Sequence, residues 1–205
     1  MCSFVVFASV AILPANGAAS HTKVAGALAN PPLAMPFIGV SRTSITAAWG
    51  TNGNPAGTGY LCENITSITN STSIQTTSWE STGLTPGTAY SFRVKAINDD
   101  GIETAYVSLG SKSTVEFIKL NGIEVRPGEV ISALPVIEFK IIHSVALRLD
   151  DCGVLIDGSF VHASPSTGAG FTTFSYSVAS ALGEGRHEIG MRAVDSDGTI
   201  YSDSV

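Results

Sequence analysis

Hydrophobic and polar residues alternate strictly in several short segments of this chain. The clearest segment is 90–96, which reads Y-S-F-R-V-K-A. An alternation with a period of two places successive side chains on opposite faces, as in a strand with one buried face. Pro86 and Gly87 stand just before it and are typical of a turn. The pattern therefore predicts a half-buried strand that begins after this turn.

The same alternation predicts further strands in the first half of the chain, separated by turn-rich sequences at 52–57 and 98–101. Alternate residues of these strands should form a hydrophobic core. The expected strands are 37–40, 45–49, 60–63 and 105–109, with short outer strands within 64–78. The side chains expected in the core are Ile45, Ala47, Trp49, Tyr60, Cys62, Trp79 and Leu84.

The second half of the chain has the same pattern. Asn121-Gly122 and Asp157-Gly158 are strong signals for tight turns between strands, and Pro127-Gly128 predicts another turn. A last strand is expected at 199–205. The alternating apolar positions are Ile118 and Leu120, Ile137, Phe139 and Ile141, Val154 and Ile156, Phe174, Tyr176 and Val178, and Ile189, Met191 and Ala193. Long helix-forming runs are absent, so the sequence predicts an all-β protein.

Three segments together resemble the fibronectin type III family over about residues 31–113. They are T-S-I-T-A-A-W at 43–49, L-T-P-G-T-A-Y at 84–90 and F-R-V-K-A-I-N at 92–98. The resemblance implies a Greek-key β-sandwich in which Tyr90 caps a corner between two sheets and its hydroxyl group bonds to the backbone. The Arg-Gly-Asp motif of some adhesive family members is absent from the sequence.

The remaining residues predict a second sandwich. The pattern G-x-H-x-I-x-x-x-A-x-D-x-x-G, which runs from Gly185 to Gly198, resembles bacterial immunoglobulin-like and cadherin-like repeats. We therefore expect tandem Greek-key β-sandwiches, fibronectin type III-like and then immunoglobulin-like. Residues 30–113 are called the first module below, and residues 114–205 the second module. The short last strand leads us to expect that the second module is truncated.

Residues 1–29 have two interpretations. The apolar run 4–13, followed by small residues, resembles a signal peptide, although no Lys or Arg precedes the run. Alternatively, S-F-V-V-F-A at 3–8 matches S-F-R-V-K-A at 91–96, which suggests the last hairpin of a preceding fibronectin type III-like module. Under either interpretation the protein lies outside the cytoplasm.

Composition and charge exclude several function classes. The net charge is −6, the pI is about 5.1, and only 14% of the residues are charged. No basic patch with interleaved aromatic residues is present, and neither is a polybasic segment. The sequence therefore argues against nucleic-acid binding and against electrostatic binding to anionic membranes.

The three cysteines do not predict a disulfide framework. Cys2, Cys62 and Cys152 are far apart, and an odd number excludes full intramolecular pairing. No C-x-x-C motif is present, which argues against zinc and redox sites. We expect Cys62 and Cys152 to be reduced and to pack as small apolar side chains.

We find no catalytic or cofactor-binding constellation in the sequence, and we predict no enzyme activity, no cofactor and no metal site. The four histidines are scattered, and His187-Glu188 does not complete an H-E-x-x-H motif, so His187 is expected to be a strand residue. Loop aspartates offer a weak calcium hypothesis, but Asp is also a common turn residue. The carboxylates concerned are Asp150, Asp151, Asp157, Asp195 and Asp197.

Two surface chemistries receive little support. Trp49 and Trp79 occupy inward positions, so they are not expected to form a sugar-binding platform. Asn64 and Asn70 each begin an N-x-S/T sequence, the pattern of N-glycosylation, but such matches arise by chance in a Thr-rich chain.

These observations favour a non-catalytic extracellular fragment, a structural spacer or a set of adhesion or protein-binding modules of a secreted or cell-surface protein. The alternative is a set of accessory modules of an exported polysaccharide-degrading enzyme whose catalytic domain lies elsewhere. Expected partners are neighbouring modules and an extracellular protein or polysaccharide, bound through the loops 50–58, 98–104 and 164–170. No nucleic-acid partner and no membrane insertion are expected.

Overall fold

The computed structural model describes residues 27–125 and 134–205, and this part of the chain is built of β-strands. One 3-10 turn at Leu149–Asp151 is the only helical element in these two ranges. The predicted all-β class is confirmed. The strands are β1 Leu33–Ala34, β2 Gly39–Val40, β3 Ser44–Gly50, β4 Gly59–Asn64, β5 Thr69–Asn70, β6 Ser78–Thr82, β7 Ala89–Ile97, β8 Val107–Ser113, β9 Phe117–Leu120, β10 Ile123–Glu124, β11 Val136–Ile142, β12 Gly153–Ile156, β13 Ser159–His162, β14 Ser164–Gly168, β15 Phe171–Ser177, β16 Ile189–Val194 and β17 Ile200–Ser204.

The strands form three sheets, of which one contains strands from both modules. A four-stranded sheet in the order β5-β4-β7-β8 belongs to the first module, and a five-stranded sheet in the order β10-β9-β11-β15-β14 belongs to the second. The third sheet has the order β1-β3-β2-β17-β16-β12-β13, with β6 also paired to β3. It therefore supplies the second layer of both modules.

The alternation predicted for the first module is present in the structure. In β3, β4 and β7 every second residue is buried, and Phe92, Cys62 and Ile45 are completely inaccessible to solvent. The corner predicted at Tyr90 also forms, because the Thr85 backbone N–H donates to the Tyr90 hydroxyl oxygen at 2.8 Å. This bond fixes the chain at the start of β7, the long central strand of the four-stranded sheet.

Core packing explains why the tryptophans are not at the surface. Trp49 is 2% exposed, and its ring lies 5.9 Å from that of Tyr60. Trp79 is half-buried and meets Phe92 edge-on, with 6.4 Å between ring centroids. Phe37, which lies between β1 and β2, completes this aromatic core, with its ring centroid 5.4 Å from that of Phe92. The expected core positions are confirmed, although Trp79 is less buried than predicted.

Several sequence-based expectations were wrong in detail. The strand expected at 37–40 comprises only Gly39–Val40. Residues 164–168 are not a loop but strand β14, which pairs with β15 at the edge of the five-stranded sheet. Strand β16 does not alternate between a buried and an exposed face: Gly190 and Val194 are buried along with Ile189, Met191 and Ala193, since this strand is covered on both sides. The strand expected at 105–109 is instead β8, which begins two residues later and continues to Ser113.

Several expectations lie outside the described residues. Among them are both interpretations of the N-terminal segment, apart from residues 27–29, and the turn at Pro127-Gly128. The division of the chain at 113/114 stays a prediction. In the described ranges, no helix is long and apolar enough to cross a membrane.

Candidate functional site: the two ends of the first module

The junction between the modules is formed by a pair of parallel strands. Gly39 and Val40 of β2 lie beside Ile200 and Tyr201 of β17. Tyr201 is 1% exposed, and its side chain lies on the same buried face as Val40. The sheet thus continues from one module to the next, which leaves no unpaired strand edge between β2 and β17.

A buried ion pair lies beside these strands. The Lys112 ammonium contacts Asp195 Oδ2, and the two side chains are only 9% and 0% exposed. Lys112 Nζ also lies 3.3 Å from the Tyr201 hydroxyl oxygen, which is itself 3.4 Å from Asp195 Oδ2. Lys112 comes from β8 of the first module, whereas Asp195 and Tyr201 belong to the second. The three side chains therefore join the modules.

A tight turn presents the Asp195 carboxylate to Lys112. Asp195 Oδ1 accepts hydrogen bonds from the backbone N–H groups of Asp197, at 3.1 Å, and Thr199, at 2.8 Å. Gly198 closes the turn with φ of +90°, in the region that favours glycine. Because Oδ1 is held by the backbone, Oδ2 remains directed at the ammonium group of the other module.

The charges at the junction are electrostatically matched. Burial alone would raise the pKa of the Asp195 carboxyl group, but Lys112 and the Thr199 N–H outweigh burial and hold that pKa below its ordinary value. Burial and the neighbouring carboxylate raise the pKa of Tyr201, so its hydroxyl stays protonated. The site thus holds one cation, one anion and one neutral hydroxyl, an arrangement suited to structural cross-linking.

Contacts at the turn between β2 and β3 reinforce the junction. Arg42 forms a partly buried ion pair with Asp203 of β17. The Val115 N–H donates to Ser41 O at 3.0 Å, and Val115 O accepts from the Gly87 N–H at 3.1 Å. Val115, at the start of the second module, is thereby hydrogen-bonded to two turns of the first module.

The opposite end of the first module is held by asparagine side chains. The Asn30 backbone N–H donates to Asn54 Oδ1 at 2.7 Å, while Asn54 Nδ2 donates to Asn30 O at 2.8 Å. Asn52 Nδ2 donates to Pro31 O, and Asn98 Nδ2 donates to Ala27 O. The loops 50–58 and 98–104, expected to contact a partner, thus contact the chain segment 27–31.

A third polar cluster covers the outer face of the four-stranded sheet. The Arg93 guanidinium lies 3.9 Å from the centre of the Tyr106 ring and forms a 2.7 Å ion pair with Glu63. The Tyr106 hydroxyl donates to Glu63, and Lys95 pairs with Glu103. Burial alone would raise the pKa of Glu63, but Tyr106 and Arg93 together lower it. The charges in this cluster neutralise one another.

The aspartates of the calcium hypothesis do not form one site. Asp195 binds Lys112 and the backbone of its own turn, while Asp157 pairs with His187 at 2.7 Å. In the part of the chain that the structure describes, no group of three or more His, Cys, Asp or Glu side chains could hold a metal ion. His187 lies in the loop before β16 and not in a strand, contrary to expectation.

The structure separates the two glycosylation patterns and places both inner cysteines. Asn64 is fully buried and its Nδ2 donates to Ser81 Oγ at 3.1 Å, whereas Asn70 is exposed. Cys62 and Cys152 are buried free thiols, as predicted. Burial raises the pKa of Cys62 to about 12 and also raises that of Cys152, so both thiols are unreactive near neutral pH.

Sequence reasoning missed the main residues of the junction. Lys112 and Asp195 are 83 residues apart, and nothing in the local pattern around Lys112 distinguishes it from a solvated lysine. One signal existed: Tyr201 follows the Asp195 turn at a position that should be inward in the last strand. A Tyr at an inward position beside a turn carboxylate is compatible with a buried polar pair, but this pattern does not identify Lys112 as the partner of the carboxylate.

Comparisons with known proteins identify one of the modules. Residues 30–108 match the fibronectin type III domain family. No curated protein matches the chain. The similar solved structures include dimeric latent PorU from Porphyromonas gingivalis (12% identity, TM-score 0.40), chitinase ChiA74 from Bacillus thuringiensis (14%, 0.34) and a two-domain fibronectin type III segment of chicken tenascin (13%, 0.35).

The coverage of these similarities is uneven. The matches include 82%, 85% and 86% of this chain, respectively. The chain spans only 22% of PorU and 26% of the chitinase, but 99% of the tenascin segment. The family match ends at Ser108, so the immunoglobulin-like or cadherin-like nature of the second module stays a prediction. Residues 30–108 are a fibronectin type III domain.

Proposed function

We propose that this chain is a rigid, non-catalytic spacer within an exported modular protein. The observation that carries the proposal is the junction, where a continuous sheet and the buried Lys112–Asp195 pair join two modules. A spacer has to keep a fixed distance and orientation between what lies at its two ends. Interfaces between the domains of one chain allow relative motion unless they are large and hydrophobic. Here the pairing of β2 with β17 adds a sheet that runs across the junction.

The distribution of polar side chains supports a structural role. The charged and amide side chains of the three polar clusters described above bind one another or the backbone, and one of these clusters joins two modules. Both tryptophans, Trp49 and Trp79, pack in or against the core and do not form a flat sugar platform. An extracellular location is part of this proposal, and it rests on the match to the fibronectin type III family, whose domains are commonly extracellular.

Residual dipolar couplings of the full chain would test the proposal. If the modules form one rigid body, amides of β7 and of β11 fit a single alignment tensor with the same order parameter. Two tensors of different magnitude would refute the rigid spacer.

Incubation of the chain with a panel of polysaccharides and hydrolase substrates is the second experiment. We expect neither retention nor turnover, whereas retention on one polysaccharide would support a binding module of a polysaccharide-degrading enzyme.

A further inference from the structure

The segment 178–188 connects β15 to β16 and packs on the core through Val178 and Leu182. Beyond Leu182, the side chain of His187 attaches it to a neighbouring turn. His187 Nδ1 lies 2.7 Å from Asp157 Oδ2, and His187 Nε2 lies 2.9 Å from Gly183 O. Asp157 is in the turn between β12 and β13, and Gly183 is in the segment itself. His187 thus connects the segment to a neighbouring turn and also holds its internal fold.

The two partners of the imidazole are both acceptors. A carbonyl oxygen can only accept a hydrogen bond, so Nε2 has to carry a proton. The Asp157 carboxylate is ionised, because its own hydrogen bonds with His187 and with the Glu188 N–H lower its pKa. It therefore also requires a donor, so Nδ1 has to carry a proton too. A neutral imidazole has one N–H, and only the imidazolium ion satisfies both contacts.

We propose that His187 is a pH-sensitive latch, which holds residues 183–187 against the turn at Asp157-Gly158 only while its ring is doubly protonated. Deprotonation removes one N–H, so either the contact with Asp157 or the contact with Gly183 is lost. The remaining bonds between the turn and the segment are the Glu188 N–H to Asp157 Oδ1, at 3.0 Å, and the Asp157 N–H to Glu188 O, at 2.9 Å. They hold the base of the segment but not Gly183.

The charged groups around the ring are few in the described chain. Asp157 is the carboxylate that contacts it from the β12–β13 turn, and Glu184, Arg186 and Glu188 flank it along its own segment. The hydrogen bonds that His187 donates to Asp157 and to Gly183 raise its pKa. Since the folded value lies above the unfolded one, the latch is complete at pH values below the unfolded pKa. It is lost as the pH rises through the folded pKa.

The position of the latch separates it from the junction. Strand β17 begins beside Val194, near the Lys112–Asp195 pair, and ends at Ser204, where Val205 and Ile189 exchange two backbone hydrogen bonds. The latch therefore lies beyond the Ile189 end of β16, whereas the Lys112–Asp195 pair lies at its Val194 end. Arg42 of the first module reaches β17 between the two, at Asp203.

Heteronuclear NMR of the full chain tests the latch directly. In the wild type, both ring nitrogens of His187 should show imidazolium ¹⁵N shifts at mildly acidic pH. The ring should titrate at a higher pH than in the Asp157→Asn variant or in the urea-unfolded chain. Equal midpoints in the folded and unfolded chains would overturn the proposal, as would a single neutral tautomer at mildly acidic pH.

Hydrogen exchange provides the conformational readout. Amides of 183–187 should lose protection as the pH rises through the His187 midpoint, by more than the ordinary base-catalysed acceleration measured in β11. In His187→Gln, which cannot titrate, this extra pH dependence should disappear, while β16 remains protected and shows that the fold is intact. Protection of 183–187 that follows β11 at every pH would contradict the latch. Neither result bears on the spacer proposal, which depends on the junction.

Discussion

The two ends of the first module are held by different kinds of interaction. At the end near residue 30, neutral amide groups of Asn30, Asn52 and Asn54 exchange hydrogen bonds with the backbone at a partly exposed surface. At the other end, a charged pair is buried beside a parallel strand pair that crosses into the second module. Both ends are held by several polar contacts, but they should respond very differently to the loss of one group.

This difference indicates which end of the first module should be the more rigid. A neutral hydrogen bond contributes about 0.5–1.5 kcal/mol, and water replaces it at an exposed site. Removing one partner of a buried ion pair leaves the other charge without water or counterion, which costs about 3–5 kcal/mol. A buried pair is poor evidence of high stability, yet it strongly disfavours any arrangement in which its partners separate. The junction should therefore be the more rigid end.

The largest effect should come from breaking the buried pair. Lys112→Met leaves a buried carboxylate, and Asp195→Asn leaves a buried ammonium while keeping an oxygen for the Thr199 N–H. Each should lower the free energy of unfolding by about 3–5 kcal/mol, measured by urea denaturation. The double variant should lose less than the sum, since no unpaired charge remains.

A matched control uses an exposed pair of the same type. Glu103, which pairs with Lys95, has a side chain that is 49% exposed. Glu103→Gln should therefore cost less than about 1 kcal/mol. If Glu103→Gln and Asp195→Asn cost the same, burial does not distinguish the two ion pairs, and the contrast between the ends of the module is lost.

A core substitution in the first module tests how far the junction couples the two modules. Trp49→Ala should cost about 3–5 kcal/mol, because it leaves a cavity beside Tyr60. Trp49→Phe should cost much less, since it keeps a ring and removes an indole N–H that is buried without a partner. With a coupled junction, the exchange protection of β9 in the second module should fall along with that of β7. Unchanged β9 protection in Trp49→Ala would show that the modules unfold independently.

Acid should weaken the junction before it affects the opposite end. The pKa of Asp195 in the folded chain lies below its unfolded value of about 3.9, so its contribution is present above that value and is lost as the pH falls through the folded pKa. The decrease in the free energy of unfolding on acidification should not exceed the decrease caused by Asp195→Asn. In the Asp195→Asn variant, this acid-dependent decrease should be absent. Equal acid sensitivity of the variant and the wild type would assign the acid response to other groups.

The smallest effect is expected at the asparagine end. Asn54→Ala removes two hydrogen bonds with Asn30 and should cost about 1–2 kcal/mol. The segment 27–31 should exchange faster, while the amides of β8 and β17 stay protected. A loss as large as that of Lys112→Met would mean that the two ends of the module are equally constrained.

The sequence was sufficient to predict elements with one buried face. Strand β7 and the corner at Tyr90 follow from a local alternation and a turn, both of which depend on residues close together in the chain. Strand β16 was harder, because Gly190 and Val194 are buried by elements on the second face that local alternation does not reveal. The same limit applies to the junction: Asp195 looked like a turn residue, and its pairing with Lys112 depends on how two modules pack.

Distances between spin labels on the two modules test the rigid junction most directly. Glu80 and Ser166 are exposed on different modules, and the buried thiols of Cys62 and Cys152 should not react. The variant with Cys2→Ser, Glu80→Cys and Ser166→Cys carries one spin label on each module and keeps the wild-type junction. Double electron–electron resonance should then give one narrow distance distribution. Adding Lys112→Met should broaden that distribution. A broad or multiple distribution with the Lys112–Asp195 pair intact would contradict the rigid spacer.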